Sequence, residues 1–460
     1  MLPIDGDTIV AIATPPGVGG VGIIRISGNL ASSIAMKVVK KPCVVPNKAI
    51  YTDFLSHHAE TLDSGIAIFF KGPYSFTGED VIEIQAHGGP VILSMLLRTI
   101  VEMGARIAEP GEFSRRAFLS QKIDLIQAES VVSLINAQTE QAALAAVKSL
   151  QGEFSKQINL LLEELIAIRM NLEAIIDFPE DDIDVLSWSL IESNMINLQT
   201  KISVTLQCAK NGSLINHGIK AVILGKPNVG KSSLLNFLLG EDRVIVTDIP
   251  GTTRDVVSHV VNIDGLLINF ADTAGVRLTS DVVEKLGIAK AIKEIEVADL
   301  IILMITAEEF LAARDFSIIN FLPETISLDL LSNKKILLLI NKIDLHVMPS
   351  TMFEKNNLTA IFVSIKNNIG IDLLKQQIKQ TIGFSCENLV FTAKERHVQS
   401  LKQVYDHIVC GKQIFSDNKQ GWDLVAEELR LGQECLSKIT GVFTNEDLLS
   451  KIFSEFCIGK

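Results

Sequence analysis

The spacing of apolar residues changes several times along this chain, and each change marks a candidate boundary. TIVAIAT (8–14) and VGIIRIS (21–27) are short β-like runs on either side of the glycine-rich PPGVGG. SGIAIFF (64–70) and DVIEIQAHGG (80–89) read as two further strands. PVILSMLLRTIVEMG (90–104) has helical spacing and is closed by a glycine. Residues 1–120 are therefore expected to form an α+β domain. From 121 to 215 the pattern turns helical. Residues 128–177 keep a helical period without proline, FPEDDID (178–184) interrupts it, and helical sequence resumes to about Cys208. The stretch from 384 to 460 is helical in period as well.

Between the two helical blocks lies a different unit, 216–383. Its apolar runs KAVILG, LLINFADTAG, DLIILMIT, KKILLLINK and AIFVSI alternate with helical stretches. Such alternation implies a doubly wound, mostly parallel sheet. The economical reading is an α/β domain inserted into one helical domain built from 121–215 and 384–460.

Composition sharpens this only a little. At 460 residues the chain exceeds the size at which one core keeps growing, so several domains are expected. With 47% apolar and 21% charged residues it can bury real cores. No apolar run is long enough to span a bilayer. The start MLPIDGDTIV lacks the basic and apolar regions of a signal peptide. The six cysteines are scattered without C-x-x-C spacing, which fits a reducing compartment, so a cytoplasmic protein is expected. The net charge of −12 means that direct RNA contact needs a local basic patch or a partner.

The chemistry is concentrated in 216–383. GKPNVGKS (225–232) follows the strand KAVIL and opens a helical run, which is the strand–loop–helix setting of a phosphate-binding loop. Backbone N–H groups of such a loop face phosphates, and the helix N-terminus adds partial positive charge. Asn228, Val229, Gly230, Lys231, Ser232 and Ser233 are the expected contacts. Lys231 is placed for the β- and γ-phosphates and Ser232 for Mg²⁺. GTTRD (251–255), DTAG (272–275) and NKID (341–344) follow in order. Thr253 would complete the Mg²⁺ shell, and Gly251 and Thr252 lie beside it. Asp272 would hold a metal-bound water, and Gly275 would offer its N–H to the γ-phosphate, with Thr273 and Ala274 between them. Asn341, Lys342 and Asp344 point to guanine, because Asp344 can accept the paired N–H donors that adenine lacks. In VSIK, the N–H of Ile365 or Lys366 would bind the guanine oxygen, with Ser364 beside them.

The position after DTAG is Val276, which cannot orient water as the glutamine of Ras-like switches does. Asn228 can instead coordinate a monovalent cation, placing positive charge where an arginine finger acts elsewhere. Glu284, on the presumed helix after DTAG, is a candidate for orienting water; a solvated helix face is the competing reading.

With these residues in view, the chain resembles, from end to end, the MnmE (TrmE) family of tRNA-modification GTPases. ATPPGVGGVGIIRISG, SFTGED, HGGP, PGEFSRRAF, the guanine-nucleotide motifs and the terminal FCIGK carry the resemblance. It implies an N-terminal folate-binding and dimerising domain (1–120), a discontinuous helical domain (121–215 and 384–460) and a Ras-like G domain (216–383). It implies a homodimer, and a flavoprotein partner, MnmG (GidA), that carries FAD and joins it in a heterotetramer or larger complex. The implied reaction places a carboxymethylaminomethyl or aminomethyl group on carbon 5 of the wobble uridine of certain tRNAs. The one-carbon unit would come from 5-formyl- or 5,10-methylene-tetrahydrofolate.

By the same resemblance, K⁺ would sit on the Asn228 side chain and backbone oxygens of Thr247, Ile249 and Thr252, with Asp248 and Pro250 in the same nucleotide loop. Mg²⁺ would use Ser232 and Thr253, and Glu284 would orient water. Arg25, Glu83, Lys122 and Lys460 would bind folate. The first three read as ordinary surface charges without the resemblance. Cys457 matches the family's C-terminal cysteine, or is a free thiol in a tail. The loop VSIK stands where SAK is usual, and DIPGTTRD has proline where many relatives have alanine. His87 is either a proton shuttle or a strand-end histidine, and FPEDDID is an acidic loop rather than a metal site. PPGVGG, without GK[ST], brings backbone close to folate or to a dimer mate. The competing functions are a ribosome-assembly-type GTPase switch without modification chemistry, and a structural or membrane-remodelling GTPase.

Overall fold

The computed structural model describes residues 6–41, 45–177, 185–241, 259–271, 292–313, 318–322, 326–331, 334–346, 348–355, 358–384, 391–417, 421–442, 446–454 and 456–459. The chain divides into two compact units, 1–132 with 433–460, and 133–432.

The first unit is built on a six-stranded sheet. Its elements are β1 (Ile9–Ile12), β2 (Gly19–Ser27), α1 (Ala31–Val38), β3 (Ala49–Leu55), β4 (Thr61–Phe70), β5 (Val81–Gly88), α2 (Pro90–Glu102), β6 (Arg106–Ile107) and α3 (Glu112–Leu119). The strand order is β3-β4-β5-β2-β1-β6, antiparallel except for the β1–β6 pair. Side chains alternate across a strand. Ile24, Ile26, Ile82 and Ile84 therefore point one way, into a core with Ile34 of α1 and Leu96 and Ile100 of α2. Arg25 and Glu83 point the other way and stand directly opposite each other on β2 and β5. The helix Glu446–Ser454 brings Ile452 and Phe453, followed by Phe456, against Leu125 and Ala128.

The long helical run breaks where local chemistry intervenes. It becomes α4 (Leu125–Ile135), α5 (Glu140–Leu150) and α6 (Glu153–Asp177). Thr139 caps α5 by accepting the N–H of Ala142 at 3.1 Å. Gly152, at φ 90, supplies the left-handed turn before α6. α7 (Val185–His217) continues past Cys208, and Gly218 at φ 68 ends it.

The second unit carries a seven-stranded sheet. In chain order the elements are β7 (Ile219–Leu224), α8 (Lys231–Glu241), β8 (His259–Ile263), β9 (Leu266–Phe270), β10 (Leu300–Thr306), α9 (Ala307–Ala312), β11 (Lys335–Asn341), β12 (Met352–Lys355), β13 (Leu358–Phe362), α10 (Ile371–Ile382), α11 (Glu395–Asp417) and α12 (Trp422–Thr440). The order is β12-β13-β11-β10-β7-β9-β8, parallel except at the two edge pairs. Both faces are covered, as parallel sheets require. Along β10, Leu300, Ile302 and Met304 enter one core, and Ile301, Leu303 and Ile305 enter the other. The five apolar runs expected as strands are β7, β9, β10, β11 and β13. The edge strands β8 and β12 are additions: β12 is exposed throughout, so it has no buried face to betray it.

Candidate functional site

β7 lies between β10 and β9, where the order of connection reverses. The carboxyl end of such a strand is where open α/β sheets bind ligands. GKPNVGKS leaves β7 at this point, and Lys231 opens α8. The loop needs both of its motif glycines. Gly225 has φ 149, and an added Cβ would stand 2.2 Å from the Met304 carbonyl oxygen. Gly230 has φ 110, and an added Cβ would stand 2.5 Å from Asn341 Nδ2. Asn228, at φ 65, takes the left-handed turn between them, and buried Val229 anchors the loop. Lys231 Nζ donates to the carbonyls of Gly225 (2.7 Å) and Lys226 (2.8 Å). Burial pulls its pKa down. Ser232 and Ser233 are exposed on the first turn of α8.

The segments NKID and VSIK converge on the same loop. Thr306 and Asn341, the last residues of β10 and β11, are register partners. Asn341 is buried; its Nδ2 donates to the Val229 carbonyl at 2.9 Å, and its Oδ1 accepts the Ile365 N–H at 3.3 Å. Lys342, at φ 63, donates through Nζ to the Asn228 carbonyl at 2.9 Å. The Ser364 hydroxyl donates to Asp344 Oδ1 at 2.6 Å. Lys366 is exposed beside them. Asn228, Val229, Asn341, Lys342, Asp344, Ser364 and Ile365 thus form one bonded set.

One participant is missing from the sequence reading. Glu309, on α9, lies 3.1 Å from Lys226 of the GKPNVGKS loop. A reciprocal capping box with Thr306 holds its carboxylate, which stays well ionised through the Thr306 N–H and Lys226. The T-x-x-E spacing at 306–309 was the available signal.

Thr247, Asp248, Ile249, Pro250, Gly251, Thr252, Thr253, Asp272, Thr273, Ala274, Gly275, Val276 and Glu284 lie outside the described residues, as do FPEDDID and Lys460.

A second constellation lies on the face of the first sheet opposite the isoleucine core. Arg25 donates through Nε to Glu83 Oε1 at 2.9 Å, and its Nη2 is 2.8 Å from the same oxygen. The guanidinium lies between the rings of Phe76 (5.6 Å) and Phe113 (5.8 Å). Its Nη1 also reaches the Gly459 carbonyl at 3.4 Å, and the Gly111 N–H lies 3.4 Å from the Cys457 carbonyl. VGIIRIS, SFTGED, PGEFSRRAF and the FCIGK tail therefore meet in space. Lys122 is exposed, and an added Cβ on Gly78, at φ 81, would stand 3.6 Å from its Cε. Cys457 is an exposed thiol. His87, the penultimate residue of β5, is bound by Asp63, through Nδ1 at 2.7 Å and its backbone N–H at 2.8 Å. The aromatic pair around Arg25 was missed, because nothing in the spacing of Phe76 and Phe113 announces that they converge.

Two family models match this sequence. One, described as the GTP-binding protein TrmE N-terminus, covers residues 8–122; the other, the MnmE helical domain, covers 125–457. The chain belongs to the MnmE (TrmE) family. Among its relatives, a protein of Hydrogenovibrio crunogenus is 47% identical over 455 residues, with 99% of each chain covered. One from Dechloromonas aromatica is 46% identical over 454 residues and one from Vibrio cholerae 45% identical over 460, again with 99% of each chain covered. Each of the three is named tRNA modification GTPase MnmE. In this MnmE-family chain, no helix among the described residues is long and apolar enough to cross a membrane. Nor, among those residues, do three or more His, Cys, Asp or Glu side chains gather as a metal site.

Proposed function

We propose that this MnmE-family chain is a GTPase that acts in tRNA modification, with a guanine-nucleotide site at the carboxyl end of β7 and a folate site on the Arg25 face of the first sheet. The observation that carries the nucleotide half is the Asn341 bridge. It ties the loop that would hold phosphates to the motif that would read the base, so both ends of one nucleotide are served by a single bonded unit. Asp344 would accept the paired N–H donors of guanine, and Ser364 holds its carboxylate in place. An adenine there would offer that partly buried carboxylate no matching pair of donors, which disfavours it.

The residues present suit the implied ions. The Ser232 hydroxyl on the first turn of α8 is a suitable oxygen donor for Mg²⁺, with Thr253 as its partner. Lys342 occupies the backbone carbonyl of Asn228 and not its side chain, so the amide oxygen stays available to K⁺, with backbone oxygens of Thr247, Ile249 and Thr252. Bound there, the monovalent ion would supply positive charge between the β- and γ-phosphates. Glu284 would orient the attacking water, a role that Val276 cannot fill.

Folate fits the second constellation by its donors. Both Arg25 contacts fall on Glu83 Oε1, so Oε2 is free of that pair and can accept a pterin N–H. Lys122 and Lys460 would serve its acidic tail. The one-carbon unit would come from 5-formyl- or 5,10-methylene-tetrahydrofolate. The chain would act as a cytoplasmic homodimer with the flavoprotein MnmG, which carries FAD, on carbon 5 of the wobble uridine. Its working parts would be an N-terminal domain (1–120), a helical domain (121–215 and 384–460) and a G domain (216–383). Mass spectrometry of wobble uridines from cells lacking the protein tests this directly. Loss of the carboxymethylaminomethyl or aminomethyl group is expected; an unchanged pattern of carbon-5 groups rejects the reading.

A further inference from the structure

The loop that joins β4 to β5 is tied to α3 by one guanidinium. Arg116, on α3 and only 13% exposed at its side chain, donates to both carboxylate oxygens of Glu79, each at 3.1 Å. It also donates to the Asp7 carboxylate (2.7 Å), the Asp7 carbonyl (3.0 Å) and Glu112 Oε1 (3.0 Å). Glu79 accepts the Ser27 hydroxyl at 2.6 Å, and that hydroxyl lies 2.7 Å from Thr77 Oγ1. Ser27 and Thr77 are fully buried. The loop is thereby stapled to the end of β2 and to α3.

The same loop carries the residues that face the proposed folate site. Phe76 covers the Arg25 guanidinium, and Gly78 packs on Ser120 and Lys122. We propose that Arg116 is a positioning residue for that site: it sets where Phe76 and Gly78 stand over Arg25 and Lys122, and so how firmly a reduced folate is held. This inference rests on the folate reading above. The network makes the effect local. Arg106 binds Asp7 (2.8 Å) and Glu112 (2.7 Å) independently, so removing Arg116 leaves those two carboxylates paired and leaves Glu79 with the Ser27 hydroxyl but without its cationic partner. The planar five-donor fork matters, because a lysine ammonium cannot serve three carboxylates and a carbonyl in this geometry.

The test uses the full chain with Arg116→Gln, Arg116→Lys and Glu79→Gln. Binding of 5-formyltetrahydrofolate is read by equilibrium dialysis, and hydrogen exchange is read along residues 71–80 against β2 and β5. Arg116→Gln should raise Kd by about tenfold, the loss of one charge-assisted anchor. Arg116→Lys should fall between it and the wild type. Exchange should quicken in 71–80 and stay unchanged in β2 and β5. A Kd within about twofold of wild type, or exchange that quickens throughout the sheet, overturns the proposal. Should the wild type itself bind no folate, the folate reading fails, while unchanged exchange at 71–80 in Arg116→Gln would refute the clamp on its own.

Discussion

The side chain of Asn341 spans the two halves of the candidate nucleotide site: its amide nitrogen donates to the Val229 carbonyl at 2.9 Å and its oxygen accepts the Ile365 N–H at 3.3 Å. Alanine at 341 would leave both of these buried groups without that partner. Each such loss costs about 1–3 kcal/mol. Asn341→Ala should weaken GDP and GTP alike by about tenfold or more, read as Kd with fluorescent nucleotides. Unchanged affinity would show that the bridge does not hold the site together.

In the proposed site, Asp344 would read the base by accepting hydrogen bonds. In Asp344→Asn the side chain presents N–H donors instead, which match the carbonyl at position 2 of xanthine. The variant should lose GTP and gain XTP, measured by competition binding. Retained preference for GTP would place the base elsewhere.

Asn228 adopts φ 65, a conformation that glycine tolerates without strain. Asn228→Gly therefore deletes the side chain and keeps the backbone turn. Wild-type GTP hydrolysis should be faster in K⁺ than in Na⁺, and the variant should show no difference between them. Equal wild-type rates in the two salts would remove the ion from the mechanism.

Val276 cannot polarise water, which leaves Glu284 as the candidate for that task. Glu284→Ala should lower kcat by about 10²-fold or more, the usual scale for a positioned acid–base group, with GTP affinity nearly intact. An unaltered turnover number would eliminate Glu284.

Glu112 links the stability of the first unit to pH. Its carboxyl, 8% exposed at the side chain, is held below its ordinary 4.5: burial opposes ionisation, but hydrogen bonds from Arg106, the Glu109 N–H and Arg116 outweigh it. Asp7, between the same arginines, is shifted downward too. A depressed carboxyl binds fewer protons folded than unfolded, so it stabilises above its unfolded pKa. That stability is lost as pH falls through the folded value. Urea midpoints should hold steady above about pH 5 and decline below it. Glu112→Gln should flatten this decline; an identical pH profile would show that the network does not drive it.

Much of the geometry of the candidate nucleotide site was legible because it is local. The turn at Gly225, Asn228 and Gly230 is written in adjacent residues, and NKID marks the end of a buried apolar strand. The parallel strands announce themselves because both faces are covered, as in β10. β12 and β3 did not, since edge strands bury too little to leave a pattern. The run 128–177 reads as one helix by period alone. A single hydroxyl at Thr139 and the left-handed Gly152 divide it, and such signals are weak against fifty residues of consistent spacing.

The Arg25 face of the first sheet shows the other limit. The chain's order of residues determined the family motifs, the glycine positions and the alternation that sends Arg25 and Glu83 away from the isoleucine core. Only the tertiary structure decided that these two form a pair, that Phe76 and Phe113 enclose the guanidinium, and that Gly459 reaches it from the far end of the chain. The reason is physical: pairing register and tail docking depend on burial summed over a whole core, which no short window of sequence contains.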